Sequence, residues 1–437
     1  MLKEIPYLVV SDECGNIFEI PEYRMTGMSL NIPLVPPGDE IIPLPPGSDL
    51  FRLPERIAIG FDHSKGRYVR VQEYHGKKVY PVAGFMAPAY LQFYRCSFYT
   101  LQGAERLPLY SYTAVGWYRG RFYAAGIRID PDQRQDLKWF NIPVIHKRAK
   151  VLAKRFRKNR LVQHLVENCV FSYGCPAARN FVMARWEFPL PTSPGCNAGC
   201  VGCISKQPGS SGIKSSQDRI SFIPEVEEIV EIAVSHLENA PGAVVSFGQG
   251  CEGEPLLVGE LIEDSIREIR RRTERGVINI NTNGSKPEVV ERLCRAGLDS
   301  IRVSVNSVQE GYYNRYFLPV DYIFEDVIES LKISRSFDIW TSINYFIFPG
   351  LTDHPTEMEA LKSFIYKVKL NMVQTRNINI DPEFYIQELH LSELGPCFKG
   401  MRNWLEFMKR NFPWLKIGYF NPPRDEMRKR NFEFCKS

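Results

Sequence analysis

In its second half, the chain alternates between short apolar stretches and longer amphipathic ones. The short stretches are rich in β-branched residues, as strands of a buried parallel sheet are. The longer stretches place apolar residues three and four positions apart, as helices that cover such a sheet do. The pattern predicts six strands, at residues 185–190, 243–247, 277–281, 300–305, 341–348 and 371–377. It predicts intervening helices at residues 225–237, 257–272, 286–295, 324–336 and 356–368.

Strands and helices that alternate in this way indicate an α/β fold with a parallel sheet and helices outside it. A doubly wound sheet and an incomplete barrel both satisfy the pattern. Either one places ligands at the carboxyl ends of the strands, so candidate chemistry is expected in the segments that follow each strand.

The first 140 residues have a different character. They are rich in Pro, Tyr and Phe, and short aromatic or β-branched runs alternate with turn clusters. Residues 114–128 predict a hairpin whose bend lies at residues 118–121. We expect a smaller β-rich N-terminal domain here.

A basic helix is predicted next. Between Lys147 and Arg160 there are eight Lys or Arg residues and no acidic one. Ile145, Ala149, Leu152 and Phe156 recur at helical spacing and give the helix one apolar stripe. Two interpretations stand: a solvated helix that packs one face between domains, or a contact for RNA, phosphate or an acidic partner.

These changes predict four parts of the chain. They are a β-rich N-terminal domain (1–140), a basic helical linker (141–180), a partial (β/α)6 barrel (181–395) and a C-terminal helical or extended extension (396–437).

Composition narrows the class of protein. The chain has 437 residues, of which 44% are hydrophobic and 24% charged, values typical of a folded protein. The net charge of +5 is too mild to require a nucleic-acid partner. The sequence has no long uninterrupted apolar run, and its first residues include charge and proline, so we expect a cytoplasmic protein with no membrane partner.

The cysteines give the most specific indication of the protein's chemistry. Eleven cysteines, an odd number, argue against a disulfide framework. Cys196, Cys200 and Cys203 (the loop cysteines) follow the first predicted parallel strand with spacing C-x3-C-x2-C. Three thiols on a glycine-bearing loop suit a four-iron cluster with one open iron. A structural metal knot completed by a distant residue is the alternative.

This loop resembles the signature of the radical SAM superfamily, and the resemblance covers roughly residues 185–380. It implies a partial barrel, a [4Fe-4S] cluster on the loop cysteines and S-adenosylmethionine (SAM) chelated to the open iron. It also implies an electron donor such as ferredoxin or flavodoxin, because one electron splits SAM to a 5′-deoxyadenosyl radical. That radical abstracts hydrogen from the substrate.

Later segments extend the resemblance in order, one after each strand. The segment from Gly250 to Pro255 is similar to the family's Gly-Glu-Pro segment, which meets the SAM ammonium, and Asn283 lies in a Thr-Asn-Gly turn. The family usually has an aromatic residue before its third cysteine, where this chain has Gly202. The SAM-binding residues that the resemblance implies are Gly253, Glu254, Asn283, Ser304, Asn306 and Arg376.

Other cysteines leave two interpretations open. Cys169, Cys175, Cys251 and Cys96 are either buried packing residues or ligands of a second metal centre. His146, His164 and His354 have no partners at ligand spacing in the sequence.

The sequence thus predicts a radical SAM enzyme whose reaction on its substrate is not determined. A peptide or protein substrate is preferred because the overall charge is mild, and RNA modification is the alternative. The competing class is a non-catalytic, metal-stabilised binding protein.

Overall fold

The computed structural model describes residue 2 and residues 4–434. Its N-terminal part is built from short strands. They are β1 (Tyr7–Ser11), β2 (Ile17–Arg24), β3 (Gly27–Ser29), β4 (Ile32–Leu34), β5 (Ile41–Pro43), β6 (Asp49–Arg52), β7 (Arg56–Asp62), β8 (Arg67–Val71), β9 (Glu73–Tyr74), β10 (Lys77–Lys78), β11 (Tyr80–Phe85), β12 (Tyr90–Gln92), β13 (Arg95–Cys96), β14 (Phe98–Thr100), β15 (Thr113–Tyr118) and β16 (Arg121–Arg128).

Within the described residues, fourteen of these strands form one antiparallel sheet, and β9 and β10 pair separately. The predicted hairpin is confirmed: β15 pairs with β16 from Val115–Ala124 to Tyr118–Arg121. Its two turn residues, Arg119 and Gly120, both have positive φ. Such a turn matches the twist of the strands that it joins.

A helical segment follows. It consists of α1 (Ile142–Arg155), α2 (Arg160–His164), a π-helical segment (Leu165–Ser172) and α3 (Pro176–Val182). The basic helix α1 therefore begins before the first of its basic residues, Lys147. Asn141 caps its N-terminus, where the Asn141 side chain accepts a hydrogen bond from Val144 N. Ile145 and Ala149 are buried, as the apolar stripe predicts.

The rest of the chain alternates strands and helices. The strands are β17 (Glu187–Leu190), β18 (Val244–Phe247), β19 (Val277–Thr282), β20 (Ser300–Val305), β21 (Trp340–Ile347), β22 (Met372–Asn377) and β23 (Lys416–Gly418). The helices are α4 (Val226–Asn239), α5 (Gly259–Arg272), α6 (Pro287–Ala296), α7 (Glu310–Phe317), α8 (Phe324–Ser336), α9 (Pro355–Val368), α10 (Pro382–Glu388), α11 (Met401–Asn411) and α12 (Arg424–Phe434).

The sheet decides between the two predicted architectures. Strands β17 to β23 pair in parallel and in sequence order. A doubly wound sheet reverses its strand order at a switch point, and this sheet does not. The α/β fold with an open, partial barrel is therefore confirmed. The six predicted strands and five predicted helices are present within two residues of their expected ends, and β23 is a seventh strand that the sequence did not predict.

The antiparallel sheet lies against the carboxyl ends of the parallel strands. At the end of β22, the Asn377 side chain accepts a hydrogen bond from Gln92 N and donates one to Tyr90 O, both at 3.0 Å. Nearby, Arg56 and Asp381 form an almost fully buried ion pair at 3.2 Å. The predicted boundaries at residues 140, 180 and 395 stay predictions. Among the described residues, no helix is both long enough and apolar enough to cross a bilayer.

Candidate functional site

A cavity of about 460 Å³ opens at the carboxyl ends of the parallel strands. Its walls come from the loops after β17, β18 and β19, from strands β20 to β22, and from the antiparallel sheet. All three loop cysteines lie on it. The position agrees with the expectation for a parallel sheet with helices outside it.

Main-chain hydrogen bonds hold the cysteine loop in place. Gly199 N donates to Phe317 O at 3.0 Å, and Val201 N donates to Tyr316 O at 2.9 Å. Beside the first loop cysteine, Gly195 O accepts from Glu254 N at 2.8 Å. The loop backbone is thus fixed by its neighbours, while its thiols face the cavity.

The three thiols are free and lie close enough to influence one another's charge. Burial raises the pKa of Cys200, and the neighbouring charges of Cys203 and Cys196 raise it further. The guanidinium of Arg219 donates to Cys203 Sγ at 3.5 Å. Deprotonating three thiols that lie this close together is costly, so the set favours a cationic group that all three can bind.

Their spacing also bears on what that group is. Among the described residues, the loop cysteines do not form a group whose ligand atoms all lie within 4.8 Å of one another. A tetrahedral zinc ion with Zn–S bonds of about 2.3 Å requires sulfur atoms about 3.8 Å apart. Three thiols on one loop, with spacing C-x3-C-x2-C, suit a four-iron cluster that leaves one iron open.

Glu254 is a buried carboxylate at the cavity wall. It accepts hydrogen bonds from Leu256 N at 3.0 Å, from Asn283 N at 2.8 Å and from the Thr282 hydroxyl. Burial raises its pKa to about 7, against the lowering effect of these donors. An ammonium group bound beside it would favour the ionised form.

Glu252, which the sequence analysis did not single out, holds the same loop in shape. Its carboxylate accepts from Thr192 N, Thr192 Oγ1 and Ser193 N at 2.7 to 3.0 Å. It also accepts from Gly248 N at 2.6 Å and Gln249 N at 2.9 Å. One side chain therefore ties the loop after β17 to the loop after β18. A Cβ atom at Gly253, the next residue, would overlap the Gly195 carbonyl oxygen, so only glycine allows this approach.

The guanidinium groups of Arg302 and Arg376 also line the cavity. Arg302 Nη1 donates to Gln374 Oε1 at 2.5 Å, while its buried Nε has no hydrogen-bond partner among the described residues. Burial lowers the pKa of Arg302 to about 10. Arg376 stacks 3.4 Å from the Tyr419 ring centroid and donates to Asn344 Oδ1 at 3.2 Å. An unpartnered buried N–H is costly and marks a place where an anionic ligand would be stabilised.

A family model described as the radical SAM superfamily matches residues 190–361, which include the cysteine loop and strands β18 to β21. Residues 190–361 therefore carry a radical SAM domain. No curated protein sequence matches it.

Solved structures of radical SAM proteins resemble parts of the chain. Native anSMEcpe with bound AdoMet matches 44% of this chain and 52% of its own, at 17% identity and TM-score 0.35. SuiB of Streptococcus suis bound to S-adenosylmethionine matches 62% of each chain, at 16% identity and TM-score 0.37. The FeFe-hydrogenase maturase HydG from Carboxydothermus hydrogenoformans matches 67% of this chain and 73% of its own, at 13% identity and TM-score 0.38. The match spans less than two thirds of the length of the first two.

Most residues singled out in the sequence share this cavity. Besides the loop cysteines, these are Gly253, Glu254, Asn283, Ser304 and Arg376. Asn306 does not line it. Strand β20 ends at Val305, so the alternation that would align Asn306 with Ser304 stops one residue earlier. Its buried amide donates instead to Tyr312 O and to the Tyr385 hydroxyl, both at 3.2 Å.

A tyrosine side chain occupies the space beside Gly202, where the family usually has an aromatic residue. The Tyr316 hydroxyl lies 2.7 Å from where a Cβ atom of residue 202 would be. Tyr316 also lines the cavity, next to Phe317 and Phe346. An aromatic ring from α7 therefore fills the space beside the third loop cysteine. The sequence could not identify it, because the contact joins residues far apart in the chain.

The remaining cysteines do not form one group. Cys96 packs in a separate core of the antiparallel sheet, with its thiol 3.4 Å from Val82 O. In the structure, His164 lies with Cys169 and Cys251 in one buried cluster. Sequence spacing hid this cluster because one of its members comes from a distant loop.

Proposed function

We propose that the protein is a radical SAM enzyme in which Cys196, Cys200 and Cys203 hold a [4Fe-4S] cluster. When bound, the cluster supplies the electron that cleaves SAM to a 5′-deoxyadenosyl radical, which abstracts hydrogen from the substrate. The observation that carries the proposal is the arrangement of the cavity. Three free thiols face the same space as the buried carboxylate of Glu254 and the guanidinium groups of Arg302 and Arg376.

The polar residues of the cavity complement the charges of SAM. Glu254 supplies an anionic acceptor for the methionine ammonium, and Gly253 keeps the loop close to the cysteine loop. Arg302 and Arg376 suit the methionine carboxylate, because a guanidinium can donate two parallel hydrogen bonds to it. Asn283 and Ser304 offer polar groups for the ribose hydroxyls.

Aromatic residues suit the adenine. Tyr316, Phe317 and Phe346 lie together on the cavity, with the Tyr316 and Phe346 ring centroids 5.7 Å apart. In our proposal, Tyr316 takes the place of the aromatic side chain that is missing at Gly202. Arg219, which donates to Cys203 Sγ, stabilises the charge that accumulates on the thiolates.

A peptide or protein is the substrate class that we propose. The antiparallel sheet contributes Phe85, Met86, Ala87, Tyr90 and Ser111 to the cavity wall, and none of them is charged. An apolar wall suits apolar side chains of a polypeptide better than it suits phosphates. Electrons come from a ferredoxin or flavodoxin in this proposal.

SAM cleavage tests the proposal directly. The full-length protein is reconstituted anaerobically with iron and sulfide, reduced with dithionite and assayed for 5′-deoxyadenosine. We expect release by the wild type and by Cys397→Ala, an exposed cysteine away from the cavity, and none by Cys200→Ala. Equal release by Cys200→Ala, with a normal iron–sulfur spectrum, would exclude the proposed site.

RNA modification is the second candidate, because the basic residues of the α1 region are exposed to solvent. If RNA is the substrate, charge reversal at Lys154, Arg155 and Lys158 will weaken RNA binding and flatten its salt dependence. Unchanged binding removes this candidate. Metal binding without any SAM turnover would instead favour the non-catalytic binding protein.

A further inference from the structure

A second group of metal-ligating side chains lies outside the cavity. A ring nitrogen of His164 and the sulfur atoms of Cys169 and Cys251 all lie within 4.8 Å of one another. The three residues are buried, with exposed fractions of 8%, 2% and 5%. Cys251 lies between Gly250 and Glu252, which line the cavity, so the group sits directly behind the cavity loop.

Local backbone structure brings two of these ligands together. His164 and Cys169 are five residues apart, a spacing that an α-helix places on different faces. Here the chain changes at residue 165 from α-helix to π-helix, whose hydrogen bonds span five residues. Residues five apart then stand nearly above one another. π-Helical turns are rare and are found frequently at functional sites.

The imidazole has one nitrogen to spare. His164 Nδ1 lies 3.0 Å from the Asn168 side-chain amide, while the buried Nε2 has no hydrogen-bond partner among the described residues. An amide can present its oxygen as well as its nitrogen, so Asn168 can hold the proton on Nδ1. Nε2 then has a free lone pair. This arrangement, with one nitrogen oriented by a neighbour and the other unoccupied, is that of a metal-binding histidine.

A fourth donor stands nearby. Cys175, at the start of α3, donates its backbone N–H to Cys169 O at 2.8 Å. This hydrogen bond holds residue 175 beside Cys169. Together the four residues offer three sulfur atoms and one nitrogen, a donor set that tetrahedral structural zinc sites use.

We propose that His164, Cys169 and Cys251 hold a structural zinc ion, and that Cys175, which lies outside this group of three, turns its thiol inward to become the fourth ligand. Tetrahedral zinc requires sulfur atoms about 3.8 Å apart, which the 4.8 Å limit of this group accommodates. Buried thiols and an imidazole are soft donors that suit zinc, and a closed site favours a structural role. The inference stands independently of the proposed SAM chemistry.

The ion would connect two parts of the molecule. His164, Cys169 and Cys175 belong to the helical segment before the barrel, whereas Cys251 belongs to the loop after β18. That loop carries Glu252 and Glu254. A metal at this point would therefore fix the cavity loop against the helical segment from the side opposite the cavity.

Metal analysis of the full-length protein, purified anaerobically with zinc and iron in the medium, tests the site. We expect about one zinc per chain in the wild type. The same amount is expected when all three loop cysteines are replaced by alanine and when Cys294, a buried cysteine elsewhere, is replaced by serine. Cys169→Ser and Cys251→Ser should each retain less than about a fifth of it. Zinc content that does not fall in these two variants, or iron lost from them in place of zinc, overturns the proposal.

A second measurement leaves the proposed zinc ligands unchanged, so it does not depend on how the Cys169→Ser and Cys251→Ser variants fold. The loop-cysteine triple variant is stripped with a chelator and titrated with Co²⁺ as a probe. We expect thiolate-to-cobalt charge-transfer absorption and the visible bands of tetrahedral cobalt, saturating at about one ion per chain. Absence of these bands in protein that retains its native circular dichroism overturns the proposal.

Discussion

At the scale of single residues, the cavity depends on buried polar groups that are almost fully satisfied. Glu252 accepts five hydrogen bonds, and Glu254 accepts three. Arg302 keeps one buried N–H without a partner among the described residues. The two carboxylates therefore hold the loop in shape through hydrogen bonds from its backbone. Arg302 instead has a free N–H donor, from which a bound carboxylate could accept a hydrogen bond.

We predict that Glu252→Gln destabilises the protein by about 1–3 kcal/mol. Glutamine keeps the shape of the side chain, but its NH₂ group cannot accept from the backbone N–H groups that now bind the carboxylate. The apparent affinity for SAM should fall with it, because the loop carries Glu254. Thermal unfolding and equilibrium SAM binding measure both effects, and Glu227→Gln on the exposed face of α4 is the control. A variant as stable as that control would mean that Glu252 does not organise the loop.

At the scale of elements, the helices that cover the sheet position its strands. On α4, His236 is buried, and its Nε2 lies 2.6 Å from Trp186 O, just before β17. The imidazole packs edge-on against Phe188 with ring centroids 4.6 Å apart. Burial lowers its pKa from 6.5 to about 4, against the raising effect of the Trp186 carbonyl.

This histidine predicts acid sensitivity with a defined sign. The unfolded chain binds a proton near pH 6.5, but the folded protein resists it until about pH 4. The contribution of neutral His236 to the free energy of unfolding is therefore fully present above pH 6.5. It is lost as the pH falls towards 4, by up to about 3 kcal/mol. His236→Gln can still donate to Trp186 O and does not titrate, so its denaturation midpoint should change less over this range.

Urea unfolding at several pH values checks this, with His63→Gln, an exposed histidine, as the matched control. If His236→Gln and His63→Gln lose stability equally between pH 6.5 and 4, the burial of His236 is not what makes the fold acid-sensitive.

At the scale of the whole molecule, the antiparallel sheet closes one side of the cavity and is tied to the barrel by buried contacts. Asp381 accepts from Arg56 in the antiparallel sheet and from Leu107 N, and it also caps α10 through Glu383 N. One carboxylate thus joins the β-rich part to the barrel at the edge of the cavity.

We predict that Asp381→Ala destabilises the protein by about 3–5 kcal/mol, because it leaves the Arg56 charge buried without its partner. Asp264→Ala, on the exposed face of α5, is the control and should change stability little. Limited proteolysis should also cut the β-rich part faster in Asp381→Ala. Proteolysis and unfolding equal to those of the control would mean that the two parts are held by other contacts.

The sequence predicted what depends on local pattern. β-Branched runs between amphipathic stretches identified six parallel strands, and the order of motifs after them identified the residues that share the cavity. It missed β23, because three residues carry too little periodicity. It misplaced Asn306, because alternation holds only to Val305, where the strand ends. Tyr316 and the partners of His164 could not be predicted, since a distant contact and a π-helical turn bring them together.

The central claim is that the loop cysteines hold a cluster with an open iron at which SAM binds. Electron paramagnetic resonance of the reconstituted, dithionite-reduced wild type, recorded with and without SAM, tests it most directly. We predict a reduced [4Fe-4S] signal whose g values change when SAM is added, and loss of that signal in Cys200→Ala. A signal that SAM leaves unchanged, or one that persists in Cys200→Ala, would contradict it.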